Sequence, residues 1–525
     1  MNLWWEDAVV YEVYPRSFAD SDGDGIGDLP GLRSRLDYLA ALGVDAIWLT
    51  PFYPSPLADG GYDVADYCDV DPRLGTLGDF DALVRDAETH GIRVIADLVP
   101  NHCSAQHPRF QAALEAFPGS EERDWFVFRS SQDGPPSNWR SMFGGPAWTQ
   151  VPDGEWYLHL FDSGQPDWNW RNPKVRSFFQ EVIRFWLDRG VAGLRIDVAH
   201  GLFKDPSLPD LEDPDPSDHP SAYYHRPELH SLYRSWRGVL DSYPGDRTAI
   251  GEVWYDTHET LAPYLAPGCL PQVFNFQLAR VRWEAAELRA AIDTVQSLSG
   301  GEHAPWVFGN HDVPRPVTRY GPRRARAAAL LLLALPGSAY IYQGEELGLP
   351  EVRGISPDQR ADPTYRRTRG EVLGRDGCRV PIPWDGVRNP LSWLPQPASW
   401  PLASVAAQRA DPGSFLSLYR SALRLRRSHP ALGAGTMEWL DAGPDVLAFA
   451  RDPGFVFAAN LGTAPVAVAA APVAAAALAH GGVLLASEPA VADIVRIRGE
   501  LPPGTAVWLG GDTVPCLHVQ GPGSA

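Results

Sequence analysis

The sequence predicts an α/β protein built on a (β/α)8 (TIM) barrel, with a small domain inserted after the third strand and a C-terminal β-sandwich domain. Three observations carry that expectation. Eight short runs rich in β-branched and aromatic residues recur through the first two-thirds of the chain, amphipathic stretches separate several of them, and no Gly-rich phosphate loop follows the first run, as an open doubly wound sheet usually shows. At 525 residues, 44% of them hydrophobic, the chain also exceeds what one core usually supports, so more than one domain is expected.

The first strand is AVVYEVY (8–14). Behind it lies DSDGDGIGD (20–28), which begins like a calcium-sensor loop but has Gly31 where that loop needs a bidentate glutamate, and a β-rich run where it needs a helix. Four carboxylates in nine residues repel unless a cation or a solvated turn relieves them. The amphipathic stretch LRSRLDYLAALG (32–43) leads to strands VDAIWLT (44–50) and IRVIADLV (92–99). Residues 103–171 are too long and too rich in Trp, Gly and Pro for a barrel connection, hence the insertion. VRSFFQEVIRFWLDRG (175–190) has apolar residues at 175, 178, 179, 182, 183, 186 and 187, a helical repeat. VAGLRID (191–197), TAIGEV (248–253), QVFNF (272–276), PWVFGN (305–310) and SAYIYQG (338–344) complete the eight strands. A polar stretch, 345–410, precedes a closing helix, SFLSLYRSALRLRRS (414–428), and VLAFAR-DPG-FVFAANL (446–461) reads as a hairpin. The expected boundaries are 1–102 with 172–430 for the barrel, 103–171 for the insertion and 431–525 for the all-β C-terminal domain.

A net charge of −20 argues against nucleic acid and anionic membrane surfaces as partners. Five scattered cysteines (68, 103, 269, 378, 516) without CxxC predict reduced thiols in a cytosolic protein. The start, MNLWWEDAVV, lacks the pattern of a signal peptide, and the biased run at 464–479 is short and broken by Pro465 and Pro472. A cytoplasmic protein with no membrane partner is the expectation; oligomeric state is not legible.

In such a barrel chemistry sits where strands end. The third strand ends in DLVPNH (Asp97, Asn101, His102), the fourth in RIDVAH (Arg195, Asp197, His200), the fifth in GEVW (Glu252) and the seventh in NHD (Asn310, His311, Asp312). Carboxylates there are costly unless paired or employed. Arg195 shares a strand face with Asp197 and is expected to keep it ionised, leaving Glu252 as the acid that retains its proton. A charged Asp beside a protonated Glu suits cleavage of a glycosidic bond. HExxH, GxSxG and P-loop motifs are absent.

These stretches, with AVVYEVYPRSFADSDGDGIGDLPGL at the start, QPDWN (165–169) and RDGCRVPIPW (375–384), resemble the α-amylase superfamily (glycoside hydrolase family thirteen), in its α-glucosidase and oligo-1,6-glucosidase branch. The resemblance implies Asp197 as nucleophile, Glu252 as general acid/base and Asp312 as a third carboxylate holding the sugar ring. It implies hydrogen bonds from His102 and His311 to sugar hydroxyls, Arg195 orienting Asp197, and Tyr62 stacking on the sugar. Asp59 and Arg379 would pair at the closed end of the pocket, making the enzyme exo-acting. Phe161 would wall the pocket, with Phe143 a second candidate. The Asp-rich loop would hold a structural Ca2+ or Mg2+ through Asp20, Asp22, Asp24, Asp28 and the Ile26 carbonyl.

Trp168 replaces a leucine and IPW (382–384) replaces MQW, while Val198 is similar to enzymes that favour α-1,6 bonds. His200 stands where relatives often have asparagine and would line the aglycone side or serve as a hydrogen-bonded rim residue. The implied activity is a retaining α-glucosidase on short oligosaccharides or disaccharides. A transglycosylase or isomerase of the trehalose synthase or sucrose isomerase kind shares the same acids, and loops 202–230 and 345–378 would decide between them. A non-catalytic carbohydrate-binding relative would have lost one of the three carboxylates, and this chain keeps all three.

Overall fold

Strand alternation decides what the barrel encloses. In the computed structural model, which describes residues 3–215, 220–254, 258–274, 276–298 and 304–510, eight short strands form one parallel sheet. They are β1 (Val9–Val13), β2 (Ala46–Leu49), β3 (Arg93–Leu98), β4 (Gly193–Ile196), β5 (Thr248–Gly251), β6 (Gln272–Val273), β7 (Pro305–Val307) and β8 (Ser338–Tyr342). Their order, β7-β8-β1-β2-β3-β4-β5-β6, follows the chain around a ring. Val10, Trp48, Ile95, Ile250, Phe274, Val307 and Tyr340 meet in one cluster, which places these positions inside the barrel. Two residues further along a strand the side chain points inward again. The next inward layer therefore holds Glu12, Asp97 and Glu252 at the end where the strands finish.

Helices cover the outside. The stretch expected as one helix at 32–43 is two, α1 (Leu29–Arg33) and α2 (Leu36–Leu42). Arg35, at φ −111° and ψ 9°, breaks them, and Asp28 caps α1 by accepting the Gly31 N–H at 2.6 Å. The long helix α3 (Pro173–Asp188) starts two residues before the expected one, because the Asn172 side chain accepts the Lys174 N–H and Pro173 suits a first turn. The closing helix α4 (Phe415–Ser428) is capped by Ser414.

The insertion carries a three-stranded antiparallel sheet (Phe128–Ser130, Trp148–Gln150, Glu155–Leu158). Its Trp139, Trp148 and Leu158 cluster with Val198, Tyr223 and Tyr224, so the insertion walls the mouth of the barrel beside β4. The C-terminal region has the expected hairpin (Val446–Arg451, Phe455–Asn460) inside a five-stranded antiparallel sheet, with a further two-stranded pair. Two helices were not foreseen. The alanine-rich run becomes Pro472–His480, which with Pro489–Arg498 packs on one face of this sheet through Ala474, Ala477, Val491 and Val495. The other face meets the barrel side, where Trp508 Nε1 donates to the Leu330 carbonyl. Among the described residues no helix is long and apolar enough to cross a membrane, and Cys68, Cys103, Cys269 and Cys378 are free thiols. Cys516 lies outside the described residues.

Candidate active site

The strand ends surround a cavity of about 330 Å³ lined by Asp59, Tyr62, His102, Asp197, Glu252 and Asp312, all singled out from the sequence. Phe161, Phe143 and His200 line it as well.

Arg195, fully buried, is its electrostatic centre. Its Nη1 lies 3.0 Å from Asp97 and 2.7 Å from Asp197, and its Nη2 lies 2.8 Å from Glu252. One guanidinium facing three buried acids cannot compensate them all. Burial raises Asp97 to about 7 despite Arg195. Burial also pushes Asp197 well above the usual range; Arg195 opposes this, but Glu252 and Asp97 add to it. The sequence set Arg195 beside Asp197; in the structure that one guanidinium is divided among three acids. Asp197 and Glu252 thus meet on the same guanidinium, at 2.7 and 2.8 Å. Glu252 is further held by the Val198 N–H at 3.0 Å and Trp254 Nε1 at 3.2 Å. Val198 sits at φ 43°, a left-handed turn strained for a β-branched residue, and that turn aims its N–H at Glu252.

Tyr62 donates to Asp97 at 3.0 Å, and its ring stacks on His311 with centroids 5.2 Å apart and planes 8° from parallel. His102 is buried, which lowers it to about 4 and keeps it neutral; its ring lies 3.1 Å from both Asn101 and Gln165. Gln165 of QPDWN also donates to Asp59 at 3.2 Å. Trp168 of the same motif is fully buried against Phe126 and serves packing. Phe161 covers His102, and His200 stacks on Tyr224 with centroids 4.4 Å apart.

The closed end departs from expectation. Asp59 pairs with Arg375 at 2.5 Å, not with Arg379. Arg375 also meets Asp312 at 3.0 Å and Asp362 at 2.6 Å, while Arg379 binds Asp312 at 2.8 Å and the His311 carbonyl at 3.0 Å. The short turn Asp376–Cys378 sets both arginines over the same mouth, and Arg375 alone spans to Asp59. Burial alone would raise Asp312, but His311, Arg375, Arg379 and Arg195 hold it well below the usual range, so it is ionised.

Arg375, Asp362 and Glu12 are the functional residues the sequence reading missed. Arg375 stood in the quoted RDGCR motif, and Glu12 broke the apolar pattern of a fully buried strand. Asp362 had no signal beyond its place before Pro363 as a helix cap.

In the Asp-rich loop, Asp20, Asp22 and Asp28 converge, with ligand oxygens within 4.8 Å of one another. Asp24 is not in that group; its carboxylate accepts the Ile26 N–H at 2.7 Å, a local turn bond that draws it away. Three converging carboxylates suit a hard divalent cation.

The barrel, the acids on its rim and the walling insertion define a glycoside hydrolase scaffold, and the chain belongs to the alpha-amylase family, matching its catalytic domain over residues 12–435. Within that family it falls in the α-glucosidase branch. It is 39% identical over 485 residues to a Rhizobium meliloti (strain 1021) protein named "Probable alpha-glucosidase", covering 86% of this chain and 87% of that one. It is 35% identical over 502 residues to the oligo-1,6-glucosidase of Parageobacillus thermoglucosidasius, covering 86% and 89%. Among solved structures, an alpha-glucosyl transfer enzyme superposes with a TM-score of 0.82 at 39% identity, covering 89% of this chain and 92% of the other.

Proposed function

We propose that the protein is a retaining, exo-acting α-glucosidase that releases glucose from short α-1,4- or α-1,6-linked glucosides. One observation carries this reading: Asp197 and Glu252 lie on the one guanidinium of Arg195, at 2.7 and 2.8 Å, in a cavity whose far end Asp59, Arg375 and Asp312 close. Two carboxyls gathered on one guanidinium suit double displacement; inversion needs room for a water between them. Glu252 serves as the proton donor and Asp197, against Arg195, as the nucleophile. Asp197 then attacks the anomeric carbon while Glu252 protonates the leaving oxygen. Water, activated by Glu252, attacks the glucosyl-enzyme and frees glucose with retention. Asp312, held ionised, and Asp59 accept hydrogen bonds from sugar hydroxyls, and His102 and His311 donate them.

The carboxylates of Asp20, Asp22 and Asp28 would hold a structural Ca2+ or Mg2+ that stiffens the loop after β1 and takes no part in the chemistry. The free thiols support a cytoplasmic setting. A second reading, glucosyl transfer, is favoured by the apolar aglycone side, where Met142, Tyr224 and Trp254 join the cavity, and by the likeness to a transfer enzyme.

Incubation with maltose, isomaltose, trehalose and sucrose, followed by chromatography, tests both. Hydrolysis yields glucose alone from maltose, isomaltose and trehalose, and glucose with fructose from sucrose; new disaccharides or trisaccharides assign transfer. D197N should abolish turnover with the melting temperature preserved, and an active D197N would remove Asp197 from its role.

A further inference from the structure

Glu12 lies on β1, in register with Trp48 and Tyr342, at an inward position following Ala8 and Val10. It is 1% exposed. It does not line the cavity, so no sugar touches it directly. Its Oε1 is 2.5 Å from His311 Nδ1 and 3.3 Å from the His311 N–H. The other ring nitrogen, Nε2, is buried and has no hydrogen-bond partner among the described residues; an oxygen of Asp312 is 3.2 Å away without hydrogen-bond geometry. A buried donor or acceptor left unmade is costly, and Nε2 lies beside Asp312, which lines the cavity where a sugar would sit.

We propose that Glu12 is a positioning residue that occupies the Nδ1 side of His311 and so fixes Nε2–H as a hydrogen-bond donor to one hydroxyl of the sugar ring. This rests on the α-glucosidase reading.

The proton count supports it. If a neutral His311 donated from Nδ1 to an ionised Glu12, the bare Nε2 lone pair would face the Asp312 carboxylate at 3.2 Å, and Glu12 would add a third buried acid charge to those of Asp312 and Asp97. If instead Glu12 keeps its proton and donates it to Nδ1, the ring is neutral and Nε2 carries the hydrogen. Burial favours this second arrangement from both sides. It raises Glu12 well above the carboxylate range, with Asp312 adding and Arg195 opposing. It lowers His311 well below the imidazole range. Arg379, Arg195 and Arg375 likewise disfavour a charged imidazole, and Tyr342 is held neutral by burial. Stacking on Tyr62 and edge contact with Trp48, 6.0 Å away, hold the ring plane, so Glu12 has only the tautomer left to set.

The test compares wild type, E12M and E12Q on p-nitrophenyl α-glucoside and its 2-, 3-, 4- and 6-deoxy analogues. Methionine fills the volume with no donor, whereas the glutamine amide can donate to Nδ1. E12M should lose about 30- to 100-fold in kcat/KM on the parent glucoside and far less on one particular deoxy analogue, whose missing hydroxyl no longer needs the donor; E12Q should recover most of the loss. An equal loss on all five substrates, or no recovery in E12Q, would overturn the proposal. If E12M does not fold, E12A, which leaves space for water, takes its place. A wild type inactive on every α-glucoside refutes the functional reading alone. Calorimetry with a glucose-configured iminosugar then still decides: weaker binding to E12M than to E12Q supports the role of Glu12, and equal binding overturns it.

Discussion

Replacing Arg375 by methionine tests the closed end of the cavity. The guanidinium makes three charge-assisted contacts, at 2.5 Å to Asp59, 3.0 Å to Asp312 and 2.6 Å to Asp362, and is only 19% exposed. Its loss falls unevenly. Asp312 keeps Arg379 at 2.8 Å, and Asp362 keeps two backbone donors at 2.7 and 3.1 Å. Asp59, 3% exposed, keeps only the Gln165 amide at 3.2 Å as a side-chain partner. A buried carboxylate stripped of its cation costs about 3 kcal/mol, less whatever the shared partners retain. In catalysis that is about 100-fold in kcat/KM. Asp59 grips the sugar in ground and transition states alike, so KM should rise more than kcat falls. R375K, a point charge reaching one or two of the three acids, should fall between. Steady-state kinetics on maltose and p-nitrophenyl α-glucoside, with thermal melting as the folding control, give the answer. A folded R375M within threefold of wild type in kcat/KM would refute the argument that Arg375 organises this end.

Two further outcomes follow from other parts of the molecule. Stripping divalent ions with a chelator should lower the melting temperature, and adding back Ca2+ or Mg2+ at a hundred times its dissociation constant should restore about 2.7 kcal/mol; D22A should remove that response, and a wild type indifferent to both treatments would leave the loop a plain turn. Asp63 is fully buried, accepts the Ala58 and Asp59 N–H groups, and is raised by burial to about 6. A carboxyl raised in the folded state stabilises below its unfolded value and loses that contribution as pH rises towards 6, worth up to about 3 kcal/mol. Urea unfolding should show D63N less stable than wild type at pH 4, with the gap narrowing by pH 6.5; a constant gap would contradict the shift.

Much of the architecture was legible because burial leaves a local trace. A parallel strand covered on both faces is a short apolar run, and a covering helix repeats every three to four residues, so all eight strands, α3, α4 and the C-terminal hairpin were found close to their places. The helix within 464–479 was missed because alanine and valine there carry no clear period, and packing against Val507 and Leu509 decides it.

The sequence by itself determined the barrel, the three acids on its rim and the arginine beside the nucleophile, since each rests on a strand whose end and inward face can be counted residue by residue. Tertiary structure decided which cation each acid meets: Arg375 on Asp59, Arg379 on Asp312, and Glu12 behind His311 are 316, 67 and 299 residues apart in the chain. The physical reason is that ion pairing depends on distance through space in a low dielectric, and local patterns carry no record of it. The same holds for protonation. Asp197 reads as an ionised nucleophile beside Arg195, yet Asp97 and Glu252 compete for that one charge, and only the closed ring of strands brings all three to it.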